Sequence, residues 1–315
     1  MNKEELLYVL ALQKTKGIGD IIAKKLITTL GSASAVYQEK HQNIRKLNGI
    51  GAITIAHLKN KTALKEAEKE VEFILKHHIK TLYFLEDDYP HRLKYCIDGP
   101  ILIFQKGETS FENRKVISIV GTRNITAYGR DCCEEIIADL KSFNPMIVSG
   151  CAYGVDICAH RAALKNGLET VAVLAQGFAS LYPKSHQKYE KELLENGSFL
   201  TEFWYNDQPL REHFLQRNRI IAGLSEATIV IESAEKGGSL VTADIADSYN
   251  RDVFAVPGRI SDKYSKGCNR LIKQNKAIIL NSSEDIISEL SWEQLSLKKQ
   301  AIQPQLFIEL SETEQ

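Results

Sequence analysis

"LQRNRIIAGLSEATIVIESAEKGGSLVTADIADSYNRDVFAVPG", Leu215 to Gly258, decides how most of this chain folds. A helical turn (Ile220, Ile221, Ala222) breaks at Gly-Leu-Ser and feeds the run "ATIVIES" (227–233). A glycine pair and a helical stretch follow, then a second run, "DVFAVPG" (252–258). Both runs are continuously apolar rather than alternating, the signature of parallel strands buried on both faces. The same stretch carries an oddity. Arg217 and Arg219 bracket Asn218 just before the strand, and arginine is costly to bury without a partner. Either Asp156, Glu202 or Glu232 neutralises the pair from within, or an anion does so from outside.

Outward from this stretch the same alternation continues. Strands are expected at 116–122, 145–150, 170–177, 198–203 and 277–280, with helical patterns between them. Strand and helix in strict succession, joined by right-handed crossovers, give an α/β fold: an extended Rossmann-like, doubly wound, mostly parallel sheet. "TLYFLEDDYPHRL" (81–93) and "PILIFQKG" (100–107) each add a short strand ahead of it. The first 60 residues hold a repeat, "KGIGDIIAKKL" (16–26) and "NGIGAITIAHL" (48–58). Each copy places Gly-Ile-Gly before a helix with free first-turn amides. This resembles the helix-hairpin-helix motif, which holds nucleic-acid phosphate on those amides. The expected organisation is a small all-helical domain over 1–78, a Rossmann-like domain over 79–290 and a polar, acidic tail over 291–315.

Composition narrows the function. Lys+Arg and Asp+Glu both number 40, so any anion-binding site comes from arrangement rather than bulk charge. The charge is uneven all the same: residues 1–80 hold 14 basic and 8 acidic residues, and 281–315 hold 2 and 7. No apolar run nears the roughly 20 residues that span a bilayer, and the polar start is no signal peptide. The chain is expected in the cytoplasm. Its six cysteines form no CxxC pair and no cluster with zinc spacing, so they read as reduced space-fillers, with no metal.

Ligands of doubly wound sheets bind beyond the carboxyl ends of the strands. Those ends read "GTRNITAYG", "SGCAYGVD", "AQGFASLYPKSH", "ESAEKGGSLVTA" and "PGRISDKYSKGCN". Gly121, Gly150, Gly154, Gly177, Gly237 and Gly238 let backbone amides approach a phosphate. Thr122, Arg123, Ser149, Lys184, Lys236, Ser239 and Thr242 supply side-chain donors in the same loops, and Arg217, Asn218 and Arg219 approach that rim. Tyr128, Phe178 and Tyr182 are candidates to stack unpaired bases. The first loop lacks GxGxxG, and strand two ends in Val-Ser-Gly without an acidic residue for a ribose, which argues against a nicotinamide cofactor. No P-loop and no nucleophile elbow are present.

"IVGTR", "SGCAYGVD", "YPKSH", "RNRIIAGLS", "GGSLVTA", "VFAVPG" and "GCNRLI" occur in this order, and together they resemble the DNA-processing protein A family (DprA, also called Smf) over roughly residues 5–285. The resemblance implies a bacterial single-stranded DNA-binding protein of natural transformation. Such a protein protects incoming strands and loads the RecA recombinase; it is a homodimer, and a binder rather than an enzyme, with no cofactor. It implies that Arg123, Lys184, Arg217 and Arg219 line the DNA path, with the Ser149–Gly154 and Gly237–Ser239 loops on phosphates. The N-terminal repeat matches the family's sterile-alpha-motif-like domain. Two departures stand out. Many relatives carry a C-terminal winged helix, which is expected to be absent here, and "AQG" (175–177) replaces a more Gly-rich turn. The competing class is a nucleotide phosphoribohydrolase-like Rossmann enzyme. Such enzymes use PGGxGT followed by glutamate, where this chain has Ala243 and Asp244.

Overall fold

The computed structural model describes residues 1–47, 49–59 and 62–293. Asn48 of the second repeat and residues 294–315 of the expected tail lie outside the described residues.

Six helices open the chain: α1 (Lys3–Lys14), α2 (Asp20–Leu30), α3 (Ala33–Gln38), α4 (His41–Ile44), α5 (Ala52–Lys59) and α6 (Thr62–Lys76). Each Gly-Ile-Gly does what its composition suggests. Gly17 and Gly49 turn with φ +84° and +89°, a region that costs any other L-residue about 1 kcal/mol. The isoleucines between the glycines, Ile18 and Ile50, are both buried. His57 Nδ1 meets the Lys16 carbonyl at 2.7 Å and ties the two copies together.

The sheet has nine strands in the order β1-β2-β6-β5-β4-β3-β7-β8-β9. They are β1 (Lys80–Tyr83), β2 (Leu102–Gly107), β3 (Val116–Val120), β4 (Met146–Ser149), β5 (Thr170–Val173), β6 (Gly197–Thr201), β7 (Ala227–Val230), β8 (Asp252–Ala255) and β9 (Ile278–Ile279). β1 and β2 run antiparallel at one edge; the pairs from β6 to β9 are all parallel. All seven strands expected from continuous apolar runs are present. Every residue of β3, β4, β5, β6 and β7 is buried, as sheets covered on both faces require. Ser118 and Thr228 escape a desolvation penalty by bonding each other across β3 and β7 at 2.8 Å.

The remaining helices are α7 (His91–Lys94), α8 (Ala127–Asp139), α9 (Val155–Lys165), α10 (Glu190–Glu195), α11 (Arg211–Leu224), α12 (Gly238–Ser248), α13 (Lys266–Lys273) and α14 (Ser283–Glu289). α8, α9 and α14 share one hydrophobic core. α11, α12 and α13 share a second with the N-terminal helices, and a small third one lies around Leu193 and Phe199. The chain winds from β3 outward to β6, then returns to the far side of β3 as β7. The switch point therefore lies between β3 and β7, where the following loops part to opposite faces and leave a crevice.

Candidate nucleic-acid interface at the switch point

A pocket of about 770 Å³ occupies this crevice. Gly121, Thr122, Arg123 and Asn124 enter it after β3, and Ser233, Gly237, Gly238 and Ser239 after β7. α11 supplies Arg211, Phe214, Arg217 and Asn218. A smaller hollow adjoins it and shares Arg123, Ala152 and Phe214, adding Gly150, Tyr153 and Tyr182.

Arg217 forms the floor. It is 3% exposed. One terminal nitrogen donates to the Val173 carbonyl, and its Nε has no partner. The nearby counter-charge is Asp156, itself buried, whose carboxylate accepts the Ala152 amide at 3.2 Å. Burial lowers the arginine's pKa from its ordinary value, and Asp156 only partly opposes this. Burial likewise raises the Asp156 pKa against the pull of Arg217. Desolvation thus outweighs attraction on both sides, and this cation is short of negative charge. Gly150 makes room for it, because a Cβ there would overlap the guanidinium.

The rim is cationic and amide-lined. α12 begins behind Gly237 with no side-chain cap, and Gly237, Gly238 and Ser239 line the pocket, so the positive end of the helix dipole lies at its edge. The Ser239 hydroxyl turns inward to Ser233 at 2.9 Å. Arg123 is exposed, its guanidinium 5.3 Å from the centre of the Phe214 ring. Tyr182 meets Phe214 edge-on at 5.8 Å. Tyr182 and Tyr153 are 41% and 45% exposed and line the smaller hollow beside the cationic pocket. By contrast Glu232 is already committed: its carboxylate accepts the Thr126 amide at 2.9 Å and hydroxyl at 2.6 Å.

The structure brings Gly121, Thr122, Arg123, Arg217, Asn218, Gly237, Gly238 and Ser239 together around the pocket and sets Gly150 beside them. It corrects other expectations. Arg219 points away from the pocket, into the junction with the N-terminal helices, where it pairs with Glu202 and with Asp20 at 3.1 Å and donates to the Asp98 carbonyl. Ser149 is fully buried and donates to the Ile119 carbonyl at 2.6 Å. Gly154 turns with φ +77° so that α9 can start against the Thr122 and Arg123 carbonyls. Gly177 packs on the carbonyls of Trp204 and Tyr205. Lys184 and Lys236 are exposed beside the site without lining it. Phe178 packs into the core, and the Tyr128 hydroxyl donates to the Pro257 carbonyl at 2.6 Å.

Sequence reasoning missed Arg211, Phe214, Lys263, Tyr264 and Tyr153. The first two were visible in principle: 211, 214 and 218 follow the i, i+3, i+7 spacing of one helix face. Lys263 and Tyr264 arrive from the loop after β8 and carry no such periodicity. Among the described residues no group of His, Cys, Asp and Glu is placed to hold a metal ion, and no helix is long and apolar enough to cross a membrane.

A doubly wound sheet whose switch-point crevice holds a buried arginine, an uncapped helix start and exposed rings defines a class: an α/β protein with a cationic pocket at the carboxyl edge of its sheet. The comparisons make this specific. The family model described as "DNA recombination-mediator protein A" matches residues 80–291, and the chain belongs to that family of DNA-processing proteins. It is similar to the DNA processing protein DprA of Streptococcus pneumoniae, 38% identical over 208 residues, covering 66% of this chain and 73% of the relative. It is also similar to the Smf protein of Synechocystis, 30% identical over 295 residues, covering 91% and 73%. The X-ray structure of the pneumococcal DprA superposes with a TM-score of 0.76 at 30% identity, covering 92% of this chain and 98% of that one. A Helicobacter pylori DNA processing protein A, whose structure is described as showing a single-stranded DNA binding mode, superposes at 0.61 with 28% identity, covering 68% and 95%.

Proposed function

We propose that this chain binds single-stranded DNA along the carboxyl edge of its sheet, without base specificity and without covalent chemistry. It acts in the bacterial cytoplasm during natural transformation, as a homodimer, protecting incoming strands and passing them to the RecA recombinase. The observation that carries the reading is Arg217: a buried guanidinium with a free Nε, held at an energetic cost, beside the uncapped start of α12. A backbone phosphate supplies the missing charge and acceptors. Arg123 adds charge at the rim, and Tyr182 and Tyr153 take unpaired bases, which stack on any ring irrespective of identity. The description of the Helicobacter pylori relative supports the same ligand.

The test is fluorescence anisotropy with a labelled mixed-sequence oligonucleotide at several salt concentrations. Log K falls by about 0.7 per neutralised phosphate for each decade of salt, and duplex DNA competes poorly. Absence of binding at low salt overturns the reading.

A further inference from the structure

Residues 259–276 run from the loop after β8 through α13. They hold six basic residues (Arg259, Lys263, Lys266, Arg270, Lys273 and Lys276) against one acidic residue, Asp262. In a chain whose charges balance, so local a surplus calls for counter-charge from elsewhere. The fold supplies little of it. Lys276 pairs with Asp244 at 2.6 Å, but none of the other five makes a salt bridge among the described residues. Asp262 instead meets the Ser261 hydroxyl at 3.4 Å. Arg259, Lys263, Lys266 and Lys273 are exposed.

This surplus is fastened to the switch-point pocket. Lys263 and Tyr264 line it. The Ser233 amide donates to the Tyr264 carbonyl at 2.6 Å, and the Gly267 amide donates to the Ser233 carbonyl at 2.9 Å. The step into α13 is therefore bonded on both sides to the loop after β7. A Cβ at Gly267 would come within 2.6 Å of the Ala234 carbonyl oxygen, so this approach needs the glycine. The start of the loop is held as well: the Asn269 side chain accepts the Gly258 amide at 3.2 Å and donates to the Gly258 carbonyl at 2.9 Å. Between these anchors the chain turns on bonds from the Asp262 amide to the Arg259 carbonyl at 3.0 Å and from the Ser265 amide to the Asp262 carbonyl at 3.1 Å. On this turn Ile260 is 89% exposed, more than any other large hydrophobic residue among those described.

We propose that a single strand leaving the pocket continues across this loop, with Lys263 at the lip, Arg259 and Lys266 on phosphates beyond it, and Ile260 as an apolar platform for a base. The inference rests on the DNA reading above and gives the strand a way out of the pocket, toward α13. Contacts of this kind fix the position of a backbone without reading its sequence. Lys266 opens α13, so the positive end of the helix dipole adds to its charge. A loop already held by backbone bonds at both ends loses little freedom when a strand settles on it. An acidic protein surface would match the charge alone. It would not account for a patch bonded to the pocket's own loop, nor for an exposed isoleucine among the cations, which suits the apolar face of an unpaired base.

The experiment is fluorescence anisotropy of the full chain with two labelled mixed-sequence strands at several salt concentrations. One strand has about 4 nucleotides, short enough for the pocket alone, and the other about 20. The double variant Arg259→Ala/Lys266→Ala alters two exposed side chains that do not line the pocket. It is expected to bind the long strand about five- to tenfold more weakly, with the salt slope smaller by about 1.4, or about 0.7 for each of two phosphates. Its affinity for the short strand stays that of the unaltered protein, which also shows that the fold is kept. Ile260→Ser is expected to weaken the long strand about threefold with the slope unchanged, as loss of an apolar contact requires; unchanged binding overturns the platform. If the double variant binds the long strand as the unaltered protein does, the path across the loop is overturned and the patch is left to an acidic protein surface. Equal weakening for both strands overturns it too, because the loop would then act on the pocket itself. Failure of the unaltered protein to bind either strand would instead bring down the DNA reading, so the two failures are distinguishable.

Discussion

Arg217 and Arg219 sit two residues apart on one helix and live in opposite electrostatic worlds. At 100° per residue their side chains diverge by roughly 200°, so one faces the switch-point pocket and the other the junction with the N-terminal helices. Around Arg219 acids are in excess. Burial pulls its pKa down, but Glu202, Asp20 and Asp98 together more than reverse this. Around Arg217 acids are scarce, and burial wins over Asp156. Both residues are nearly inaccessible, so burial does not separate structural from ligand-binding arginines. The supply of counter-charge does: one cation is complete within the fold and the other is not, which is why we assign the second to DNA phosphate.

The comparison breaks most sharply on removal of Arg219. Arg219→Met leaves Glu202 buried without its partner, and breaking a buried pair from one side costs about 3–5 kcal/mol. Urea unfolding is expected to show this loss, with oligonucleotide affinity of the folded protein intact. Arg217→Met should shift the balance. Stability also falls, because Asp156 is left buried without its counter-charge, but by less than in Arg219→Met, which strands Glu202 and Asp20 together. Affinity falls by about 2–3 kcal/mol, the size of a lost charge-assisted hydrogen-bond set, and the salt slope loses about 0.7. If Arg217→Met unfolds the protein while Arg219→Met abolishes binding, the roles assigned here are inverted.

How much of this was legible in the sequence follows from what each feature depends on. The strands were readable because burial on both faces writes itself as unbroken apolar runs such as "ATIVI" and "VISIV". The loops were readable because the crossover pattern alone sends their ends to one edge. The arginine pair was not. Its division depends on the rotational phase of α11 against the sheet, which is fixed by the burial of Ile220, Ile221 and Leu224 and by carboxylates from α2 and the end of β6 far away in sequence. Glycines mislead for a related reason. Gly150 clears space for a guanidinium, while Gly154 and Gly177 clear space for carbonyls; composition records only that space is needed.

The acid-rich side also titrates. Burial pushes the Glu202 carboxyl up to about 7, with Arg219 opposing and Asp20 adding to the rise. The folded chain then holds a proton that the unfolded chain has released, so this residue's contribution is complete below about pH 4.5 and is lost as pH rises through about 7. Stability is expected to decline over that window by on the order of 1–3 kcal/mol from this group, and Glu202→Gln should flatten the decline. An unchanged slope in urea midpoints between pH 5 and 7.5 would place the titrating group elsewhere.

The smallest effect sharpens the boundary of the anion-poor side. Lys184 is exposed at the start of a 3₁₀ turn (Lys184–Tyr189) and follows Tyr182 and Pro183 of the smaller hollow. A solvated ammonium on a flexible stem contributes through the field more than through fixed contacts. Lys184→Ala is expected to weaken oligonucleotide binding about two- to threefold, equally for all sequences, and to reduce the salt slope by at most about 0.7. A loss as large as that for Arg217→Met would mean that the strand leaves the pocket across Tyr182 and is clamped there. No change in slope would confine the DNA path to the side bounded by Arg123 and the start of α12.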